Sequence, residues 1–322
     1  MRYLARRFFH GVLLLLAVSL LSFVLIEMAP GNFFEEMRLN PQISSETVAA
    51  LRARYGLDRP VLERYVLWAE SALRGEFGFS FAYNRSVGSL LWARARNTLL
   101  LTATATLLAW LLAVPLGVWA ASAREGWADR LFGGASSALI AIPDLLLALV
   151  FLWFAVRTGY FPTGGMVSPN YAGMDVWQKI KDVALHLFLP ASALMLGTLP
   201  LLARHVRAAM VEVLASPFIQ AARAQGISRT RLLFRHALPV AANPLFSLLG
   251  FSIASLFSAS LLVEVIMSWP GLGPLLLEAI LARDLFVVVG AVLLSTTLLV
   301  AGNFLADALL YLNDPRIRVG SL

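Results

Sequence analysis

The chain has 322 residues, of which 59% are hydrophobic and 14% charged, with a mean hydropathy of +0.76 and no cysteine. A soluble domain carries about a quarter charged residues, so this composition points to a bilayer as the solvent. The absence of thiols excludes disulfides, thiolate metal sites and a cysteine nucleophile. The formal charge of +7 is divided among short loops and reads as a topology signal rather than a nucleic-acid footprint.

A membrane-crossing helix needs roughly 20 consecutive apolar residues. Six stretches meet that requirement, at 8–28, 98–121, 131–156, 185–203, 245–266 and 285–312. The basic start MRYLARR before an apolar run has the layout of a secretory signal. That run is too long for a signal core, and 26–30 offers no small-x-small cleavage site, so it is expected to stay as the first span. Basic residues in short loops mark the cytoplasmic side. Arg2, Arg6 and Arg7 precede the first span, Arg124 and Arg130 separate the second and third, Arg204, Arg207, Arg223, Arg229, Arg231 and Arg235 separate the fourth and fifth, and Arg316 and Arg318 follow the sixth. Both termini are therefore expected in the cytoplasm.

The segment 31–97 is long enough to escape the charge rule, and its arginines are balanced by Glu35, Glu36, Glu46, Asp58, Glu63, Glu70 and Glu76, so it is expected in the periplasm. Within it, 60–73 places Val61, Leu62, Tyr65, Val66, Ala69, Ala72 and Leu73 on one helical face, with Gly75 as a stop. A similar helix is predicted at 46–55 before Gly56. The two have too little apolar surface for a core of their own and are expected on the membrane surface or over a channel mouth. Beyond the third span, 159–182 is rich in Gly, Pro, Ser and Tyr and reads as loop. The expected organisation is a cytoplasmic start and first span over 1–30, a periplasmic segment over 31–97, a five-helix core over 98–312 containing a cytoplasmic loop at 204–244, and a cytoplasmic tail over 313–322.

Asp144 follows Pro143 in the third span, where a charge usually faces protein interior or a water path. Two roles stay open for it: a pathway residue attracting a cationic group, or a carboxyl bonding to backbone groups that Pro143 frees. Asp307, near the inner end of the sixth span, is expected to pair with a loop arginine.

The loop at 204–244 is punctuated as a helix, a break and a second helix. Ser216 suits a cap, Pro217 the first helical position, and Gly226 a left-handed stop. Ser228 opens the second helix, which is expected to run to about Leu238 before Pro239. Ala221, Ala222 and Ala224 give a low-relief surface beside Phe218 and Ile219, which fits either another protein's backbone or, with Arg223, lipid headgroups.

In this loop, Gln220, Ala221 and Ala222, then Gly226, then Leu238 and Pro239 reproduce the spacing of the EAA motif, and FIQAARAQGISRTRLLFRHALP resembles its form in peptide-importer permeases. Gln220 stands in place of the eponymous Glu and His236 in place of the usual Ile. The similarity extends to the first 32 residues, to LRGEFGFSF at 73–81, to SWPGLGPLLLEAILARD at 268–284 and to NDPRIR at 313–318. Together these resemble the first of the two membrane subunits of dipeptide, oligopeptide and nickel ABC importers. The resemblance implies an all-α integral membrane fold of six transmembrane helices, the type I ABC importer permease architecture, with 218–226 as the cytoplasmic coupling helix. It implies a second homologous permease, two cytoplasmic ATPase subunits and a periplasmic substrate-binding protein as partners, within membrane lipid and without nucleic acid. The coupling residues it implies are Phe218, Gln220, Ala221, Ala222, Arg223, Gly226, Leu238 and Pro239. Glu264, just before SWPGLG, falls in the family's gate region; an exposed, snorkelled side chain is the plainer expectation for it.

Neither Lys179 nor Lys181 follows a glycine, so the chain has no P-loop, and ATP and Mg are expected on the partner ATPases with no cofactor in this chain. No hydrolase or metalloprotease motif occurs, and His10, His186, His205 and His236 are too scattered to form a site, so no catalytic or metal residue is assigned. The arginines around Gly226 superficially resemble a helix-turn-helix, but spans at both ends would hold a recognition helix at the headgroups. An intramembrane enzyme would need paired groups at depth, where Asp144 stands alone. The branch includes peptide, nickel and sugar carriers, and peptides are the default.

Overall fold

The computed structural model describes residues 2–28, 46, 58–123 and 126–313. The helix expected at 46–55, Glu46 excepted, lies outside the described residues, as do Arg124 and the tail motif beyond Asn313. Among the described residues, five helices are long and apolar enough to cross a membrane: α1 (Arg2–Met28), α3 (Val87–Ser122), α6 (Val176–Leu214), α9 (Leu238–Ile266) and α11 (Leu285–Asn313). Between α3 and α6 lies a bent pair, α4 (Trp127–Ile140) and α5 (Asp144–Thr158), which counts as a sixth span when taken as one. Shorter helices are α2 (Val61–Leu73), α7 (Pro217–Ala224), α8 (Arg229–Arg231) and α10 (Leu272–Leu281). One two-stranded antiparallel hairpin pairs β1 (Phe79–Ser80) with β2 (Arg85–Ser86).

The third apolar run differs from the expected single rod, because its two helices meet at 92°. Pro143 lacks an N–H and its ring would clash with a preceding helical carbonyl. The chain therefore ends α4 at Ile140 and restarts α5 at Asp144. Pro143 caps the new helix with its carbonyl, which accepts from the N–H groups of Leu146 (2.9 Å) and Leu147 (3.2 Å). The fourth span also differs. It does not stop at Ala203 but continues as helix to Leu214, so Arg204 and Arg207 belong to α6 rather than to a loop. The spans α3, α6 and α9 carry Pro115, Pro190, Pro200 and Pro244 inside them, as membrane helices tolerate where neighbours re-satisfy the backbone.

The chain divides into two compact units. The larger comprises Met1–Arg7, Leu99–Trp269 and Leu299–Leu322. Its α3 and α6 meet along a stripe of small residues at every fourth position of α3: Ala105, Ala109 and Ala113 are fully buried, and a Cβ on Gly117 would fall 2.6 Å from Cβ of Val206. Small residues let membrane helices approach closely where no hydrophobic force between them exists. Polar contacts bind α4 to α6: Arg207 donates through Nε (2.6 Å) and Nη2 (2.7 Å) to the two oxygens of Asp129, and Arg204 Nη2 donates to Ser137 Oγ at 2.6 Å. The loop before α6 folds onto its start, where Ser168 donates through N–H and Oγ to the buried Asp182 and His186 Nδ1 lies 2.8 Å from the carbonyl of Asp182. His186 is thus a structural residue. Asp307 pairs as expected with an arginine, Arg7 at 3.3 Å, although that partner starts α1 rather than sitting in a loop.

The smaller unit comprises Phe8–Thr98 and Pro270–Leu298. Its core is Phe23 of α1, Trp68 of α2 and Val289 of α11, flanked by Val61, Tyr65 and Ala72. The face of α2 that packs is therefore centred on Trp68, while Leu62, Val66 and Leu73 of the expected stripe are exposed. The large ring of Trp68, with its Nε1 donating to Phe77 O at 3.1 Å, outweighs three aliphatic residues in choosing the face. LRGEFGFSF and the end of SWPGLGPLLLEAILARD, far apart in sequence, meet here. Asp284 caps α11 while nearly fully buried, accepting from Ser80 Oγ (2.7 Å) and the Ala82 N–H (3.2 Å). Tyr83 donates to Glu278 of α10, and burial together with that bond pushes its hydroxyl pKa up to about 12.

Candidate functional site

The candidate coupling segment starts where α6 ends. Pro217 occupies the first position of α7, where its missing N–H breaks no bond. Ser216 stands at the N-cap position, but its hydroxyl donates backward to Val213 O at 2.5 Å instead of forward to α7, so it closes α6. At the other end Gly226 has φ +80°, its N–H reaches Arg223 O (3.0 Å), and the Ile227 N–H reaches Ala222 O (3.3 Å). This double closure is a Schellman motif, which needs a residue free to enter the left-handed region.

An eight-residue helix does not hold itself together in water. Here Ile219, fully buried, anchors it among Val118 of α3, Val206 and Met210 of α6, and Leu232. At 100° per residue, Arg223 and Gly226 lie on the same side as Ile219, whereas Pro217, Ala221 and Ala224 lie opposite. The outward residues Pro217, Phe218, Gln220, Ala221 and Ala224 are exposed, and Ala222 is half-buried. Gln220 turns its amide to Ala215 O at 3.1 Å, tying α7 to the end of α6 with a donor that a carboxylate would lack.

The connection onward corrects the expected stop at Leu238. A short α8 passes into a π-helical turn over Leu232–Ala237 and then without interruption into α9, so Pro239 lies inside the first turn of the span. The wider π turn relaxes the α-helical spacing in which the Pro239 ring would meet the carbonyl four residues earlier. After Gly226, α8, the π turn and α9 thereby form one uninterrupted helical element from Arg229 onward. Leu238 is half-buried and Pro239 exposed. Beside α7 lies a cavity of about 640 Å³ lined by the ends of α3 and α6, by Arg223 and by Ile227, Arg229, Leu232 and Leu233.

The two pathway candidates sit apart from this segment. Asp144 is half-buried at the first position of α5, where the helix dipole favours a negative charge. Its Oδ1 fills a notch in α6: a Cβ on Gly197 would lie 1.8 Å from it. The carboxylate makes no hydrogen bond among the described residues, so bonding to backbone freed by Pro143 is not its role here. Glu264 is fully buried, contrary to the expected snorkelled side chain. Two residues beyond it α9 ends, and the turn at Ser268 (φ +51°) brings the chain back so that the backbone N–H of the buried Trp269 bonds the Glu264 carbonyl at 2.8 Å. The π turn, the small-residue stripe of α3 and Ile219 as anchor were missed in the sequence; the alanines at 105, 109 and 113 were the available signal.

Comparison with known proteins agrees with this geometry. Residues 113–319 match the family described as binding-protein-dependent transport system inner membrane component, and residues 1–102 match its N-terminal companion. The chain is similar to the oligopeptide transport system permease protein AppB of Bacillus subtilis, at 34% identity over 98% of each chain. It is also similar to OppB of Mycobacterium tuberculosis (31%, 99% of each) and to the glutathione transport system permease protein GsiC of Escherichia coli (30%, 99% of each). In fold it resembles a chain of the MetNI methionine ABC transporter in an inward-facing conformation, with a TM-score of 0.58 at 20% identity, covering 70% of this chain and 96% of that one. The chain belongs to the binding-protein-dependent transport system inner membrane component family and is a multi-pass transmembrane permease of an ABC importer.

Proposed function

We propose that the chain forms, with a second homologous permease, the pathway for peptides delivered by a periplasmic binding protein across a bacterial inner membrane, with both termini in the cytoplasm. Two cytoplasmic ATPase subunits bind ATP and Mg and grip the outward face of α7. The observation that carries this reading is the division of α7 into a buried anchor at Ile219 and an exposed, low-relief face at Pro217, Ala221 and Ala224. Phe218, at its edge and 47% exposed, supplies an apolar contact, and Gln220 fixes the angle of the helix. Closure of the ATPases displaces α7. The Gly226 cap and the π turn pass that displacement to α9 as a rigid-body motion, the kind of movement that alternates access. Leu238 and Pro239 serve this link rather than the ATPase face.

Asp144 attracts the ammonium group of a passing peptide from its notch at Gly197, and the buried Glu264 belongs to the gate before SWPGLG. The peptide assignment is supported by the names of the oligopeptide and glutathione relatives. The test is reconstitution of the chain with its co-encoded permease, ATPases and binding protein in proteoliposomes. Uptake of labelled di- and oligopeptides should depend on ATP and on the binding protein, and uptake through Asp144→Asn should fall. Uptake of nickel or of an oligosaccharide in place of peptides would keep the permease and overturn the substrate, and wild-type rates in Asp144→Asn would remove that residue's role.

A further inference from the structure

The cavity beside α7 has a chemistry that ATPase docking does not use. Arg223 of α7 and Arg229 of α8, both solvent-exposed, line it. The wall between them is apolar, from Leu214, Ile227, Leu232 and Leu233. Among the described residues the lining holds no carboxylate and neither arginine is ion-paired. Arg229 spends one N–H on Ser122 O at 2.6 Å, leaving the remainder of its five donors available. Ser122 is also the residue at which the apolar run of α3 stops, and the length of that run matched to a bilayer puts its end near the lipid headgroups. Two arginines over an apolar wall at headgroup depth match a phosphate ester attached to hydrocarbon, because guanidinium binds phosphate oxygens in a planar fork. The volume of about 640 Å³ suits a glycerophosphate head and the start of its chains.

We propose that this cavity binds a phosphate-bearing headgroup supplied by an anionic phospholipid of the surrounding leaflet. The bound phosphate bridges Arg223 on the coupling helix to Arg229 on the element leading into α9, and so holds the coupling helix in its seated position. The binding stands on the cavity alone; its effect on coupling rests on the proposed role of α7.

The test uses the assembled transporter in nanodiscs of phosphatidylcholine, with or without a minor fraction of phosphatidylglycerol. Native mass spectrometry reads retained lipid, and amide exchange over 217–233 reads protection. The wild type should retain phosphatidylglycerol preferentially, Arg223→Gln/Arg229→Gln should lose that preference by about tenfold or more, and Arg229→Lys should keep part of it, separating lost charge from lost folding. A second arm supplies inorganic phosphate or glycerol phosphate to the wild type in pure phosphatidylcholine. Protection there without any phosphatidylglycerol preference would overturn the lipid source while supporting the phosphate site. Equal behaviour of wild type and double variant in both arms would overturn the site itself. Loss of ATPase subunits from the double variant with no lipid or phosphate effect would also overturn it, by making the cavity a protein-docking surface. A wild type that retains phosphatidylglycerol but couples no better with it would leave the site and remove only the coupling consequence.

Discussion

Replacing Ile219 by alanine should unseat α7 while leaving the membrane bundle folded. Ile219 is fully buried and joins α7 to the cluster of Val118, Val206, Met210 and Leu232, with Ala222 packed against its edge. Isoleucine-to-alanine changes at such sites cost about 2–5 kcal/mol. An eight-residue helix has no stability of its own to absorb that loss. A middle value of about 3 kcal/mol shifts the ratio of seated to unseated helix by about a hundredfold, at 1.4 kcal/mol per factor of ten. Amide exchange across 219–226 in the assembled transporter should accelerate by about that factor. In proteoliposomes, ATP hydrolysed per substrate moved should rise several-fold, because turnover on the ATPases no longer reaches α9. Ile219→Val, costing about 1 kcal/mol, should fall between. Unchanged protection over 219–226 in the alanine variant would refute the anchoring argument. Restored protection with persistent uncoupling would separate seating from transmission.

Further outcomes follow from neighbouring geometry. Gly226→Ala meets no atom within 4 Å, so its effect is backbone strain alone at φ +80°; thermal unfolding should report a loss of about 1 kcal/mol, with Gly226→Asn milder. Gly197→Ala places a Cβ 1.8 Å from Asp144 Oδ1 and should lower the melting temperature in detergent, whereas Asp144→Ala/Gly197→Ala should recover most of the loss, a non-additivity expected only of touching residues. Additive losses would show that the two do not meet. Asp284→Ala strands the Ser80 hydroxyl and the Ala82 N–H and should cost about 2–3 kcal/mol by chemical denaturation, while Asp284→Asn, keeping an acceptor oxygen, should cost less.

What could be read in the sequence was what local chemistry decides. Pro217 and Gly226 bracket α7 because each residue is suited to one end of a helix and to little else. The apolar runs gave the spans because bilayer thickness sets a length. Bends are a different matter: hydropathy sums the run 131–156 without registering that Pro143 turns it through 92°. The continuation of helix through Pro239 was hidden for the opposite reason, since a π turn removes the obstruction that normally makes proline a stop. Burial depends on what folds back. Glu264 looked exposed at a span end because nothing local reveals that Trp269 returns to it. The face of α2 was misjudged because aliphatic residues were weighted without the larger Trp68.

The proposed drive through the outward face of α7 is open to direct test by cross-linking. The chain contains no cysteine, so single cysteines can be introduced without background. In the transporter co-expressed with its ATPases, a short thiol cross-linker from Ala221→Cys and from Ala224→Cys should give an adduct increased by the mass of one ATPase subunit, and Ile219→Cys should give none. Absence of ATPase adducts at both outward positions in a transporter still active in uptake, or an adduct from Ile219→Cys as strong as theirs, would contradict it.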